Sequence, residues 1–190
     1  MWVSNREDQV PSLEPAKPSP WVARFLPLVK PGGRVLDLTA GSGRHCRLLR
    51  EAGFKVTAVD RHIAPLIEAY GGDPDIKIVE MDLETGEPWK LGSAWDGIVV
   101  TNYLHRPLLA AIRDALAWEG LVIYETFAEG NERFGKPSNP DFLLAPGELA
   151  TVFGPPFTIV AFEQGVVETP RPAAIQRIAA RKGPVGRLVG

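Results

Sequence analysis

The chain has 190 residues, 45% of them hydrophobic and 23% charged, with a formal net charge of −2. That length suits one domain with a core large enough to need no staples. The charge balance argues against nucleic-acid binding driven by overall electrostatics. The lone cysteine, Cys46, excludes an internal disulfide and a cysteine-built metal site, and His45, His62 and His105 lack metal-ligand spacing. The opening "MWVSNREDQV" has charges by residue 6 and no apolar signal-peptide core. No apolar run reaches the ~18 residues of a membrane helix. The expectation is a cytoplasmic protein without a membrane segment.

In chain order, residues 1–18 carry Pro11, Pro15 and Pro18 among polar residues and read as an arm, possible disorder included, ahead of one domain over 19–190. In "PWVARFLPLV" (20–29), Pro20 suits a first helical position, and Trp21, Phe25 and Leu28 fall on one helical face. The spacing then predicts alternation: a strand at 33–39, a helix at 43–53 stopped by Gly53, and a strand at 55–60. A short helix at 63–72, a strand at 76–83 and a strand at 95–102 follow. A helix at 106–120 has the core stripe Leu108, Leu109, Ile112 and Leu116 and closes at Gly120. Next comes a strand at 121–127. Strands that alternate with helices imply a parallel sheet covered on both faces. The last runs, 157–168 and 173–182, are joined by a link too short for a helical crossover, so they pair antiparallel. The fold class is therefore α/β: a Rossmann-like, mostly parallel seven-stranded sheet with helices on both faces and a C-terminal antiparallel hairpin.

The chemistry starts at "VLDLTAGSGRHCRLL" (35–49), a strand running through a small-residue loop into a helix. Ligands of open α/β sheets sit at such carboxyl ends. A dinucleotide fold wants G-x-G-x-x-G, so that a pyrophosphate rests on the helix start. Here Cys46 replaces the third glycine, or Thr39 the first if the register moves. Asp37 under the loop would repel a pyrophosphate and suit a positive group. Asp60 ends the second strand 17 residues after Gly43, where nucleoside-binding folds place the acid that holds ribose. Two acids around a glycine turn describe S-adenosylmethionine better than a nicotinamide dinucleotide. A nicotinamide-dependent oxidoreductase stays open as an alternative.

"VLDLTAGSGRHCRLL" resembles the first motif of class I S-adenosylmethionine-dependent methyltransferases, with Asp37, Thr39, Ala40, Gly41 and Gly43 at the cofactor. Thr39 stands where the family has its first glycine, tolerable if its φ stays negative. "VTAVDRH" resembles the second motif, which implies Asp60 on the ribose with Arg61 beside it. "EMDLET" resembles the third, with Asp82 and Leu83 flanking adenine. "WDGIVVTNYLHRPLL" resembles the fourth, with Asn102 and Tyr103 lining the site. The resemblance spans residues 20–182 and extends to the small bacterial tellurite-resistance-type methyltransferases.

It implies transfer of a methyl group from S-adenosylmethionine to a small-molecule acceptor. RNA or protein acceptors on the same fold are the alternatives. Methyl transfer needs orientation more than a nucleophile triad. Tyr103 is the candidate to face the sulfonium with its ring. His105 and Arg106 are candidates for base or substrate anchor, unless they only begin a helix. Several residues have plainer readings. Asp37 could instead cap helix amides, and Asp60 could be a turn aspartate. Asp82 could be a solvated loop acid. His45 reads as a surface residue, Cys46 as core packing, and Asp96 as fixing the start of the fourth strand. Residues 128–149 lack a period and leave from the ligand edge, so a substrate-side role for Asn131, Arg133, Phe134 and Lys136 competes with an ordinary insertion. Arg171, Arg177, Arg181, Lys182 and Arg187, with no acids after residue 170, form a basic terminus. It is either a solvated edge or an RNA footprint.

Overall fold

The computed structural model describes residues 17–184. The arm expected over 1–18 falls outside these residues except for Lys17 and Pro18. One seven-stranded sheet runs in the order β3-β2-β1-β4-β5-β7-β6. The five strands β1 (Arg34–Leu38), β2 (Lys55–Asp60), β3 (Ile76–Glu80), β4 (Trp95–Thr101) and β5 (Leu116–Phe127) pair in parallel. The last two, β6 (Phe157–Val167) and β7 (Ala173–Lys182), form the antiparallel hairpin that closes the sheet against β5. No helix among the described residues is long and apolar enough to cross a membrane.

Side chains alternate across each strand and so feed two cores. Val35 packs with α1 (Pro20–Phe25), α2 (Cys46–Glu51) and α3 (Ala64–Tyr70) through Trp21, Phe25, Cys46, Leu49 and Leu66. Leu36 and Leu38 face the other way, onto α4 (Leu109–Ala115) and α5 (Glu148–Val152) through Leu109, Ile112 and Leu149. Each fully buried Leu or Ile of these cores contributes about 1.5–3 kcal/mol. In α1, Ser19 caps the first turn, accepting from the amides of Trp21 and Val22. The helix then tightens into a 3-10 turn over Leu26–Leu28, which turns Leu26 inward and leaves Leu28 exposed. The face expected to hold Leu28 therefore breaks at Pro27.

The helix expected over 106–120 is also shorter. A 3-10 turn at Arg106–Leu108 leads into α4, and Leu116 already pairs with Trp95 as the first residue of β5. The ladder then jumps from Leu116 to Leu121, so residues 117–120 bulge out with Glu119 at φ 65°. Gly120 is no helix stop. A Cβ there would come within 2.6 Å of the Trp95 carbonyl oxygen, and that close approach needs glycine. The helix ends where Leu116 turns extended to enter β5, and Lys182 Nζ caps that end by donating to the carbonyls of Arg113, Asp114 and Leu116 at 2.9, 3.1 and 2.9 Å.

Candidate functional site

The sheet reverses direction of winding between β1 and β4, and the carboxyl ends of the strands on either side define the ligand edge. A cavity of about 190 Å³ opens there, lined by Thr39, Asp60, Arg61, Met81, Asp82, Leu83, Glu84 and Tyr103. Three separate sequence segments meet in it, following β1, β2 and β3, with Tyr103 contributed from beyond β4. Parallel pairing brings this about, because every strand delivers its following loop to the same edge.

The loop after β1 takes its shape from left-handed backbone at Thr39, Gly41 and Gly43, with φ of 55°, 59° and 78°. The condition attached to Thr39 thus fails: a β-branched residue adopts positive φ, which is a strained choice. Its hydroxyl donates to the Leu38 carbonyl at 2.6 Å, closing the turn locally. A Cβ on Gly43 would meet the Tyr70 ring at 2.5 Å, whereas one on Gly41 would meet nothing within 4 Å. Gly43 therefore serves packing, and Gly41 leaves its backbone open to the ligand edge. The Asp60 carboxylate braces the loop by accepting from the Gly41 amide at 2.8 Å and the His62 amide at 2.9 Å. Each carboxylate oxygen keeps a lone pair for a ligand hydroxyl.

Asp37 lies beneath the loop rather than on the cavity wall. It is 1% exposed and points to the α2 face, where Cys46 Sγ sits 3.7 Å from its carboxylate. Burial pushes its pKa up to about 7. His45, expected at the surface, is equally buried. Its Nε2 accepts from the Ser19 amide at 3.1 Å, which leaves the proton on Nδ1, facing Asp37 at 3.9 Å. Burial, then the nearby Arg44 guanidinium, drives the imidazole down to about 3, so it is neutral. The sequence hid this role because Ser19 lies 26 residues upstream.

Of the remaining candidates, Ala40 is buried within the loop, and its amide donates to Val59 at 2.9 Å. Asn102 adopts φ 56° and gives its amide to the Glu125 carbonyl at 2.9 Å. His105 is half-buried and stands outside the cavity lining. Arg106 is a strut. Its guanidinium forks onto Glu148 at 2.8 and 2.9 Å and also donates to the carbonyls of Asp141 and Leu143. That contact pins the irregular segment 128–149. Asn131 pins it a second time, donating to Pro137 and accepting from the Ala174 amide. Met81 and Glu84 line the cavity without having been singled out. Their only signal was adjacency to Asp82 and Leu83.

The basic terminus is spent internally. Arg177 bridges Glu125 and Glu163, Arg181 donates to Glu119 and Leu28 carbonyls, and Arg171 to that of Lys136. Arg187 lies outside the described residues. Asp96 fixes the start of the β1–β4 pair as expected, accepting from the Arg34 amide at 2.8 Å.

A parallel sheet closed by an antiparallel hairpin, with acids and a glycine turn at its ligand edge, defines the class of nucleoside-cofactor group-transfer enzymes. Residues 12–145 match the profile of the methyltransferase-domain family, and the chain belongs to that family. Its fold is shared with TehB from Haemophilus influenzae at TM-score 0.71 and 20% identity, over 85% of this chain and 61% of that one. It is also shared with a 1,6-didemethyltoxoflavin-N1-methyltransferase from Burkholderia thailandensis, solved with bound 1,6-didemethyltoxoflavin and S-adenosylhomocysteine. That match has TM-score 0.62 and 23% identity, over 86% and 76% of the two chains. A ribosomal RNA small subunit methyltransferase J from Dechloromonas aromatica (strain RCB) is 37% identical over 79 residues. That stretch is 36% of this chain and 32% of the relative, so the chain matches about a third of that protein's length.

Proposed function

We propose that this methyltransferase takes its methyl group from S-adenosylmethionine and passes it to a small-molecule acceptor, within one domain over residues 19–190. The observation that carries the reading is the charge of the cavity. Asp60, Asp82 and Glu84 line it against a single cation, Arg61, and none of the three acids has an ion-pair partner among the described residues. Such a lining repels a pyrophosphate and attracts a cationic adenosyl ligand.

When bound, the cofactor supplies a methyl group on a sulfonium, with a neutral thioether as leaving group. The chain's own residues have the task of orientation. Asp60 accepts from ribose hydroxyls while it holds the loop through Gly41. Asp82 and Leu83 flank the base, and the open backbone at Gly41 admits the ligand. Asp37, buried beneath the loop with its pKa pushed up to about 7, supports the loop from behind and carries only part of a negative charge at neutral pH. Tyr103 and Asn102 follow β4 on the side from which the acceptor arrives. Holding both partners at attack distance can supply roughly 7–11 kcal/mol of the barrier.

An RNA acceptor is the second reading, favoured by the partial match to the ribosomal RNA enzyme. Among the described residues, Arg177 and Arg181, which would help carry it, are already bound to carbonyls and carboxylates of the chain. Salt-dependent RNA binding by the whole chain would favour it. The principal test is calorimetric titration of S-adenosylhomocysteine. Wild type binds it and does not bind NADH, and Asp60→Ala weakens it on the order of 10- to 100-fold, as loss of a charge-assisted hydrogen bond requires. Undiminished binding by Asp60→Ala, or preference for NADH, would refute the reading.

A further inference from the structure

The loop after β1 is left-handed at Thr39, Gly41 and Gly43. Positive φ at a β-branched residue such as Thr39 persists only where the surroundings enforce it. The enforcement comes from one strand-helix unit, β2–α3. Asp60 at the end of β2 accepts from the Gly41 amide at 2.8 Å. Tyr70, the last residue of α3, donates its hydroxyl to the Gly43 carbonyl at 2.9 Å. The unit therefore grips the loop at an N–H and, two residues later, at a C=O. The same Gly43 carbonyl accepts from the Cys46 amide at 3.0 Å, so the second grip also fixes where α2 starts.

Packing brings Tyr70 to this place. Leu66, one turn earlier and fully buried, seats α3 on the face it shares with α2. Just past the helix, the Asp73 carboxylate pairs with Arg50 of α2 at 2.9 Å. The Tyr70 ring then lies against the bare Gly43 Cα, where a Cβ would meet it at 2.5 Å. Burial holds the phenol above its ordinary pKa, so the hydroxyl keeps its proton and is the donor. Tyr70 is half-buried and stands outside the cavity lining.

We propose that Tyr70 is a positioning residue of this methyltransferase: its hydroxyl, acting through the Gly43 carbonyl, sets the loop backbone in the shape that receives the amino-acid end of the cofactor. The inference rests on the S-adenosylmethionine reading. Asp60 and Tyr70 divide the work. Asp60 braces the loop and also faces the ribose, so its loss acts on two parts of the ligand at once. Tyr70 acts on the loop alone, and its influence is confined to the part of the ligand that lies over the loop. A loop already held in its bound shape leaves less ordering to be done on binding.

The test is Tyr70→Phe, which keeps the ring against Gly43 and removes only the hydroxyl. Calorimetric titrations compare S-adenosylhomocysteine with 5′-methylthioadenosine, which keeps the nucleoside and the thioether but lacks the amino-acid end. The proposal expects S-adenosylhomocysteine to bind the variant ~3- to 10-fold more weakly, as loss of one neutral hydrogen bond implies. It expects 5′-methylthioadenosine to stay within about twofold of wild type. Asp60→Ala, measured alongside, weakens both ligands, because they share the ribose. A hydroxyl that served only the packing of α3 would lower the melting temperature and leave both affinities as they were. Unchanged affinity of Tyr70→Phe for S-adenosylhomocysteine, or equal weakening of the two ligands, would overturn the proposal. Failure of wild type to bind S-adenosylhomocysteine would instead remove the cofactor reading beneath it.

Discussion

Two parts of the sheet treat polar groups in opposite ways. In the β5–β7 half, charges are spent on one another. Arg177 joins Glu125 and Glu163 and lies over the Trp21 ring at 4.7 Å. Lys182 caps α4, and Arg106 grips Glu148. At the ligand edge of β1–β4, groups are left unsettled. Asp37 is buried beside a neutral histidine, and Thr39 and Asn102 hold positive φ. Strain of this kind persists only where the rest of the fold enforces it. The β5–β7 half holds one left-handed residue of its own, Glu119 at φ 65° in the β5 bulge.

The largest effect that would break this contrast concerns the two loop glycines. Gly43→Ala forces a Cβ into the Tyr70 ring as well as into left-handed backbone, and should destabilise by about 3 kcal/mol. Gly41→Ala meets open space and should cost only ~1 kcal/mol from its φ, with its main effect on ligand affinity. Denaturant midpoints and S-adenosylhomocysteine titrations of both variants measure the difference. Equal destabilisation would erase the distinction between packing and ligand-side glycines.

Arg177→Met probes the settled half. It removes partly buried ion pairs and should lower stability by roughly 1–3 kcal/mol while leaving S-adenosylhomocysteine affinity within about twofold, a change too small to count as a lost contact. A parallel loss of affinity would show that the halves are not separable.

The remaining effect is a pH dependence. Burial raises Asp37 from 3.8 to about 7, so the folded chain retains a proton that the unfolded chain releases. Its contribution to stability therefore falls as pH rises from about 4 to about 7 and is flat above that window. His45 acts with the opposite sign. Lowered from 6.5 to about 3, it contributes stability above pH 6.5 that is lost as pH falls. Asp37→Asn should thus raise the melting temperature more at pH 8 than at pH 5. An equal shift at both would place the Asp37 carboxyl in water.

Much of this was legible from residues alone. Asp60, Asp82, Leu83, Arg61 and Tyr103 converge because strand-end position is a local property, and parallel pairing collects strand ends. What sequence reading missed was non-local. The end of α4 is set by the pairing of Leu116 with Trp95 and capped by Lys182, more than 60 residues away, so the periodic stripe through Leu116 pointed to a longer helix. His45 is buried because α1 delivers the Ser19 amide to it. Arg106 resembled a free anchor until the fold supplied Glu148. The basic terminus resembled a footprint because its partners, Glu119, Glu125, Glu163 and several carbonyls, lie elsewhere in the chain. The sign of φ at Thr39 was open for the same reason, since the Asp60 brace on Gly41 is a contact between strands.

A crystal of the whole chain grown with S-adenosylhomocysteine tests the central claim most directly. The account predicts density for the nucleoside in the cavity bordered by Asp60, Asp82, Leu83 and Tyr103, with the ribose on the Asp60 carboxylate and the amino-acid end over the Gly41 loop. Density at another site, or a dinucleotide seated with its diphosphate on residues 39–43, would contradict it.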